Sequence, residues 1–362
     1  MSKSFPGLIK EMLTLNKVKE NEKVILLTPH VFDKRLIDFY MVALRELGAD
    51  FLWVVAPPKL EGKKMIRPIA ASPYALDTLK SADMVLCVRH GEPMGLPSPV
   101  PSPIGMYQPE FTEILFAGTR WLDVMLPVPE INMGRLFPTP ALIKRTFAGA
   151  KLLAESKECL VHVTSEVGTD LLCTGKGRKG NAQVGIVDEP GRWDNFGFAL
   201  AGMCPIEGSM EGKVVLVPGD YIMGLNRDVT EPVHVTVKDG VISKVEGGLA
   251  ATMLKKRLYD ELKGEVESRI PAHMDWGTHV EGAVWRNSPL FCAADGESYP
   301  GMIQMHFGTN TWDTPCSTVG MGGTNQQKGA PDHTGFQLLN ANFYLDDVEI
   351  VKKGKIVHPN CL

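Results

Sequence analysis

Four histidines in the second half of the chain stand where imidazole chemistry is possible. His273 and His279 lie in PAHMDWGTHVEGAVW, His306 in IQMHFGTNTWDTP and His333 in GAPDHTGF. These three glycine-bearing, polar segments each carry a carboxylate close to a histidine: Asp275, Asp313 and Asp332. Neutral imidazole is a good ligand for zinc, iron and related ions, and a catalytic centre needs about three protein ligands and an open position. A carboxylate behind a ring orients it through its other nitrogen. His273, His306 and His333 are therefore the candidate metal ligands, with Asp332, Asp313 or Asp220 as a carboxylate that binds or supports. The competing reading is that these histidines only hydrogen-bond within loops, because no HExxH-like signature fixes two of them on one helix face. His30, His90, His162, His234 and His358 are isolated at strand ends or in loops and read as structural or surface residues.

Three other stretches could touch a substrate. The turn DEPGRWD places Glu189, Trp193 and Asp194 where a cleft between domains would form. Glu189 and Asp194 are candidate proton-transfer groups, with Asp332 from the second half, and Trp193 is a candidate substrate contact. Gly320–Thr324 (GMGGT) follows no clear strand and opens no clear helix, so it is no dinucleotide fingerprint. Its Gly322 and Gly323 read as backbone that approaches a substrate closely, beside Asn310. Gly175–Gly180 is basic and glycine-rich but lacks the Ser or Thr of a phosphate-binding loop, and reads as a flexible connection.

The elements that must position these residues change character along the chain. Strand-like runs at Lys23–Thr28, Phe51–Ala56, Asp83–Val88, Arg120–Met125 and Leu160–Thr164 alternate with helical spacing at Asp33–Leu47, Pro73–Lys80, Glu110–Ala117 and Pro140–Glu155. That alternation implies a mostly parallel sheet. From about Gly202 the runs shorten (Val214–Val217, Val233–Val237, Val241–Val245, Met302–His306, Phe336–Tyr344), with one helix at Leu249–Lys263, as in an α+β unit with antiparallel strands. The expected fold class is an α/β, Rossmann-like N-terminal domain over residues 1–201 and an α+β, metal-binding C-terminal domain over 202–362. Pro93–Pro109 reads as an extended surface segment.

The bulk numbers narrow the partners. With 362 residues, 44 % apolar, 22 % charged and a formal net charge of −4, the chain has no basic field for nucleic acid or an anionic membrane. No apolar run reaches the roughly 18–20 residues of a membrane span, and the N-terminus lacks a signal peptide's apolar core. These features predict a cytoplasmic protein acting on a small molecule. The seven cysteines form no CxxC pair and several lie in apolar runs, which predicts reduced, buried thiols.

Read in order, GTRWLDV, TSEVGTDLL, VDEPGRWDNFGF, VVLVPGDYI, VEGGLAA, AHMDWGTHVEGAVW and GTN…GMGGTN…DHTGF…LDD resemble the 2,5-dihydroxypyridine 5,6-dioxygenase family, and more distantly the thermophilic aminopeptidases that share its C-terminal metal domain. The resemblance runs from about residue 23 to the C-terminus. It implies a mononuclear iron(II) held by two histidines and one aspartate, with His273 at the first histidine and His333 at the second. The family's His-x-Asp is His333-Thr334-Gly335 here, so the carboxylate is absent from its expected place. The aminopeptidase pattern brings His306 near a metal-binding histidine and Asp220 near an acidic ligand. After the Trp-Asp pair the dioxygenases have a histidine and a second tryptophan, whereas this chain has Asn195-Phe196. Near the Gly-Thr-Arg segment, Tyr107 lies in the neighbourhood where a proton-transfer histidine is expected.

The leading expectation is a metal-dependent enzyme that opens a small N-heterocyclic ring, with Fe2+ as the favoured divalent metal. A hydrolase using Zn2+ or Mn2+ to activate water on an amide is the alternative. A non-catalytic small-molecule binding protein is the second alternative. Homo-oligomer formation is expected from the resemblance alone.

Overall fold

The computed structural model describes residues 4–29, 33–56, 72–89, 109–225, 227–261, 264, 266–308, 316 and 334–362. The first part alternates strands and helices: α1 (Phe5–Leu15), β1 (Lys23–Pro29), α2 (Lys34–Glu46), β2 (Asp50–Ala56), α3 (Pro73–Lys80), β3 (Met84–Val88), α4 (Pro109–Phe116), β4 (Arg120–Val124), α5 (Pro129–Arg135) and α6 (Pro140–Glu155). Local chemistry sets several starts. Pro occupies an early position in α1, α3, α5 and α6, where its missing N–H costs nothing, and the side chains of Ser4, Asp33 and Thr139 cap α1, α2 and α6. β3 and β4 are buried along their whole length, as strands covered on both faces must be.

Then come β5 (Leu160–Thr164), β6 (Asp170–Thr174), β7 (Gly180–Gln183), β8 (Trp193–Phe196) and β9 (Leu200–Met203). The parallel sheet has the order β2-β1-β3-β4-β8. So β8 adds to β4 in parallel, while β5, β6, β7 and β9 go elsewhere.

The remainder comprises β10 (Glu211–Leu216), β11 (Tyr221–Met223), β12 (Arg227–Asp228), β13 (Val233–Lys238), β14 (Val241–Gly247), α7 (Leu249–Lys255), β15 (Pro271–Gly277), α8 (Ala293–Ser298), β16 (Ile303–Phe307), β17 (Thr334–Leu338), β18 (Asn342–Leu345), β19 (Val348–Lys352) and β20 (Lys355–Ile356). Two antiparallel sheets result: an eight-stranded one, β14-β13-β10-β6-β5-β18-β19-β20, and a seven-stranded one, β12-β11-β17-β16-β15-β9-β7. They share one core, with Val161, Val163, Leu171, Val214 and Val235 from the first meeting Met203, Met274, Trp276, Met305 and Phe336 from the second. This is sheet-on-sheet packing.

A parallel sheet with helices and a second part of antiparallel strands were both expected; that the antiparallel strands form two sheets was not. The expected division at 201/202 falls inside β9, and β5 and β6, which precede it, already pair with β18 and β10 from the second part. β5 is short and apolar like the parallel strands, so its pairing type had no local mark. Phe336–Tyr344, read as one run, is two strands in different sheets. The chain turns at Leu339–Ala341, where the Leu339 N–H is held by Asp220 at 3.0 Å. The expected helix over Leu249–Lys263 changes after Lys255 into a π-helical turn over Lys256–Glu261. The segment at 93–108 lies outside the described residues, and Pro109 begins α4. All seven cysteines are buried and free of disulfides. Lys176 in the basic glycine-rich connection pairs with Glu158 at 2.8 Å. No helix among the described residues is long and apolar enough to cross a membrane.

Helix α6 seats the seven-stranded sheet through Gly149. A Cβ there would meet the Ala201 Cβ at 2.7 Å and the Trp276 ring at 2.8 Å. Alanine ordinarily helps a helix by about 1 kcal/mol over glycine. Overpacking against two buried, rigid neighbours costs about 1–3 kcal/mol, so Gly149→Ala is expected to lower stability, read as the midpoint of urea unfolding. A midpoint equal to or above the parent's would show that helix and sheet are not in this contact.

Candidate functional site

The central strands β15, β16 and β17 of the seven-stranded sheet are buried on both faces, and their sequences alternate accordingly. Met274 and Trp276, Ile303, Met305 and Phe307, and Phe336 and Leu338 point into the shared apolar core. Their neighbours His273 and Asp275, Gln304 and His306, and Gly335 and Gln337 take the opposite face, since successive side chains alternate. All these residues are buried. The second face is therefore a buried polar layer, and such a layer must satisfy its own hydrogen bonds.

The registers line these residues into two rows. One row runs Asn181, Gly202, Asp275, Gln304, Gln337 and Tyr221 across six strands. The next runs His273, His306, Gly335 and Met223 across four. The antiparallel pairing of β15 with β16 sets His273 directly beside His306. Their rings lie face to face, with centroids 4.1 Å apart and planes 12° from parallel.

Each ring has a partner in the first row. The Asp275 carboxylate accepts the Nδ1–H of His273. Such a contact fixes the ring and makes its other nitrogen more basic. The carboxylate leans over β9, where a side chain at Gly202 would overlap it and the Met274 carbonyl. His306 Nε2 lies 3.3 Å from Gln304 Oε1, and Gln304 Nε2 donates to Glu297 Oε2 at 3.0 Å. Glu297 descends from α8, whose Gly296 sits over the Gln337 amide. Burial, with the nearby Asp275 carboxylate, pushes the Glu297 carboxyl up to about 8, against the hydrogen bond from Gln304. On the other side of His306, Gly335 leaves room for the ring: a Cβ there would meet Cε1 at 2.8 Å and Nδ1 at 3.0 Å.

The expected residues thus divide. The structure brings His273 and His306 together, with Asp275 behind the first. His333, Asp332, Asp313, Asn310, Gly322 and Gly323 lie outside the described residues, as do His30, His90 and Tyr107. Among the described residues, no three histidine, cysteine, aspartate or glutamate side chains converge as a metal cage. Asp220 spends its oxygens on the backbone N–H groups of Val217 and Leu339, at 2.9 and 3.0 Å, and so braces a turn. Asp194 is fully buried and accepts from the N–H groups of Val184, Ile186 and Asn195; burial raises its carboxyl to about 6 against those bonds. Trp193 donates to Asp123 at 3.0 Å, and Trp121 and Arg89 bind the same carboxylate, each at 3.1 Å. Glu189 stays partly exposed beside Arg192. His279 accepts the Gly282 N–H, and His162 pairs with Asp170. The sequence reading missed Gln304, Gln337 and Glu297. The mark that would have found the first two is the strict alternation of polar and apolar residues in strands with no exposed position.

The comparisons with known proteins agree over nearly the whole chain. The family model described as 2,5-dihydroxypyridine 5,6-dioxygenase matches residues 4–358. A 2,5-dihydroxypyridine 5,6-dioxygenase of Pseudomonas putida is 27 % identical over 361 residues, covering 97 % of this chain and 95 % of that protein. The solved structure of the 2,5-dihydroxypyridine dioxygenase of Pseudomonas putida superposes with a TM-score of 0.82 at 26 % identity, covering 99 % of this chain and 98 % of the other. Wild-type AmpT of Thermus thermophilus superposes at 0.68 with 13 % identity, covering 98 % and 100 %, and shares the fold.

Two outcomes test the polar layer. Gly335→Ala should displace the His306 ring from its place against His273, because the new Cβ falls inside contact distance; a crystal structure of the variant with the ring unmoved would refute the packing. Glu297→Gln should matter more as pH rises. A carboxyl whose folded pKa lies above its unfolded value of about 4.3 loses stability progressively between that value and the folded one. Metal-free parent protein should therefore weaken from about pH 5 to about pH 8, and the variant less so, in urea titrations at several pH values. Parallel curves would mean that Glu297 is ionised at little cost.

Proposed function

Because this chain belongs to the 2,5-dihydroxypyridine 5,6-dioxygenase family, we propose that it is a metal-dependent dioxygenase that opens a small nitrogen-containing aromatic ring. The observation that carries the reading is the His273–His306 pair on the buried polar face, with a carboxylate behind His273. Paired imidazoles, one braced by an aspartate, suit a borderline divalent ion such as Fe2+, and Zn2+ or Mn2+ as alternatives. His273 and His306 would hold it, with His333, the residue before Thr334 at the start of β17, as third ligand.

When bound, iron(II) supplies redox chemistry and open positions for an electron-rich ring and dioxygen. The chain's own residues do the rest. Asp275 keeps the proton on His273 Nδ1, so Nε2 presents its lone pair. Burial of the paired rings keeps water from them. Asp332 is the acidic residue beside His333, and Glu189 is the partly exposed carboxylate on the turn before β8; these two are the groups proposed to move protons. Asn310, Gly322 and Gly323 are proposed as substrate contacts. Trp193 and Asp194 have their polar atoms committed to Asp123 and to backbone, and act by shaping the parallel sheet's edge.

Elemental analysis of the purified protein, beside dioxygen uptake with 2,5-dihydroxypyridine, tests the reading. About one iron per chain and substrate-dependent uptake are expected. His273→Ala or His333→Ala should each lower metal content and turnover by roughly tenfold or more, since a three-ligand site has little redundancy. Zinc or manganese with amide cleavage in anaerobic buffer would make the protein a hydrolase, and unchanged metal content in the His333 variant would remove that residue from the site.

A further inference from the structure

We propose that Ala272 is a positioning residue: it is the extra residue of a β-bulge that sets the aim of the His273 ring beside His306, and the fold has no other use for it. What the aim is for rests on the reading of the two histidines as metal ligands; the aim itself does not.

The bulge shows in the register. Ile270 and Pro271 follow one count against β16: the Gly308 N–H donates to the Ile270 carbonyl at 2.9 Å, and Pro271 stands opposite Phe307. His273, Met274, Asp275 and Trp276 follow another count, opposite His306, Met305, Gln304 and Ile303. Ala272 is left over between the two. Its surroundings agree. In an unbroken strand, residues 272, 274 and 276 would share one face. Met274 and Trp276 enter the shared apolar core, whereas Ala272 is fully buried outside it. Among the described residues, the other five ladders of the seven-stranded sheet run without a shift. The break therefore falls at the residue just before His273.

Folding does not call for it. Without Ala272, the Pro271–Phe307 pair would be followed directly by His273–His306, and the two stretches would join in one regular ladder. The faces would still alternate, with Met274 in the core and His273 and Asp275 in the polar layer. Pro271 would be tolerated, because the bond from Gly308 to Ile270 makes Pro271–Phe307 a pair of the kind that exchanges no hydrogen bonds. β9 would lose nothing, since its ladder with β15 begins at Met274. What the extra residue changes is local: a bulged strand bends and twists more strongly. Here the bend falls on the ring that lies 4.1 Å from His306 and 12° off parallel to it. A feature that the ladder can do without, placed against a candidate ligand, serves that ligand.

Deleting Ala272 from the full chain tests this. A crystal structure of the metal-free deletion variant should keep His273 paired with His306 and show the two rings out of their parallel stack. Binding of ferrous ion, titrated anaerobically, should weaken by about tenfold or more. Ala272→Gly keeps the bulge and should bind within about twofold of the parent. The proposal is overturned by a deletion variant that does not fold, because the sheet would then need the residue. It is equally overturned by rings that stay stacked, by affinity of the deletion variant within about twofold of the parent, or by an equal loss in Ala272→Gly, which would assign the effect to the methyl group. Should the parent bind no ferrous ion, the functional reading fails, and the position of the rings in the deletion variant still judges the bulge.

Discussion

Strands covered on both faces cannot leave polar side chains to solvent, and β15, β16 and β17 carry polar side chains on one of their two covered faces. Every group there has to be answered from within the layer or from whatever lies over it, because an unanswered buried polar atom costs about 1–3 kcal/mol. Asp275 answers His273 and Glu297 answers Gln304. The site is built out of that obligation. It also depends on register: a slip of β15 by one residue against its neighbours would send His273 into the apolar core and bring Met274 to the polar side.

Much of this was legible in the chain. The alternating strands and helices of the first part, the antiparallel texture of the second and the singling out of His273 and His306 all came from residue pattern, and the family resemblance came from motifs in a fixed order. The rest was hidden for definite reasons. β5 and β6 look like any short apolar strands, and only their distant partners make them part of the sandwich. Asp194 was attractive as an acidic residue at the end of a polar turn, and Asp220 through the aminopeptidase resemblance. The folded chain uses both as acceptors for backbone N–H groups. Gln304 and Glu297 drew no notice because neither carries a signature of its own; what marks them is position, Gln304 two residues before His306 on β16 and Glu297 on the helix that reaches it.

The break in the His-x-Asp pattern at Gly335 takes on a physical sense beside His306. Bare backbone at 335 and a ring at 306 share one volume, so the two positions are not independent. The same is true of Gly202 and Asp275, where a glycine on one strand admits the carboxylate of the next.

Strands β7 and β9 lie side by side, yet the chain between them leaves for the parallel sheet, forms β8 against β4, and returns. Thr164 and Asn342, 178 residues apart, are likewise joined across neighbouring strands. The two halves are therefore sewn through one another. Neither can be cut out as a freestanding fragment without opening the other. A nascent chain has to wait until its last strands emerge before the sandwich can close, which sets a high entropic hurdle and a slow final step for assembly.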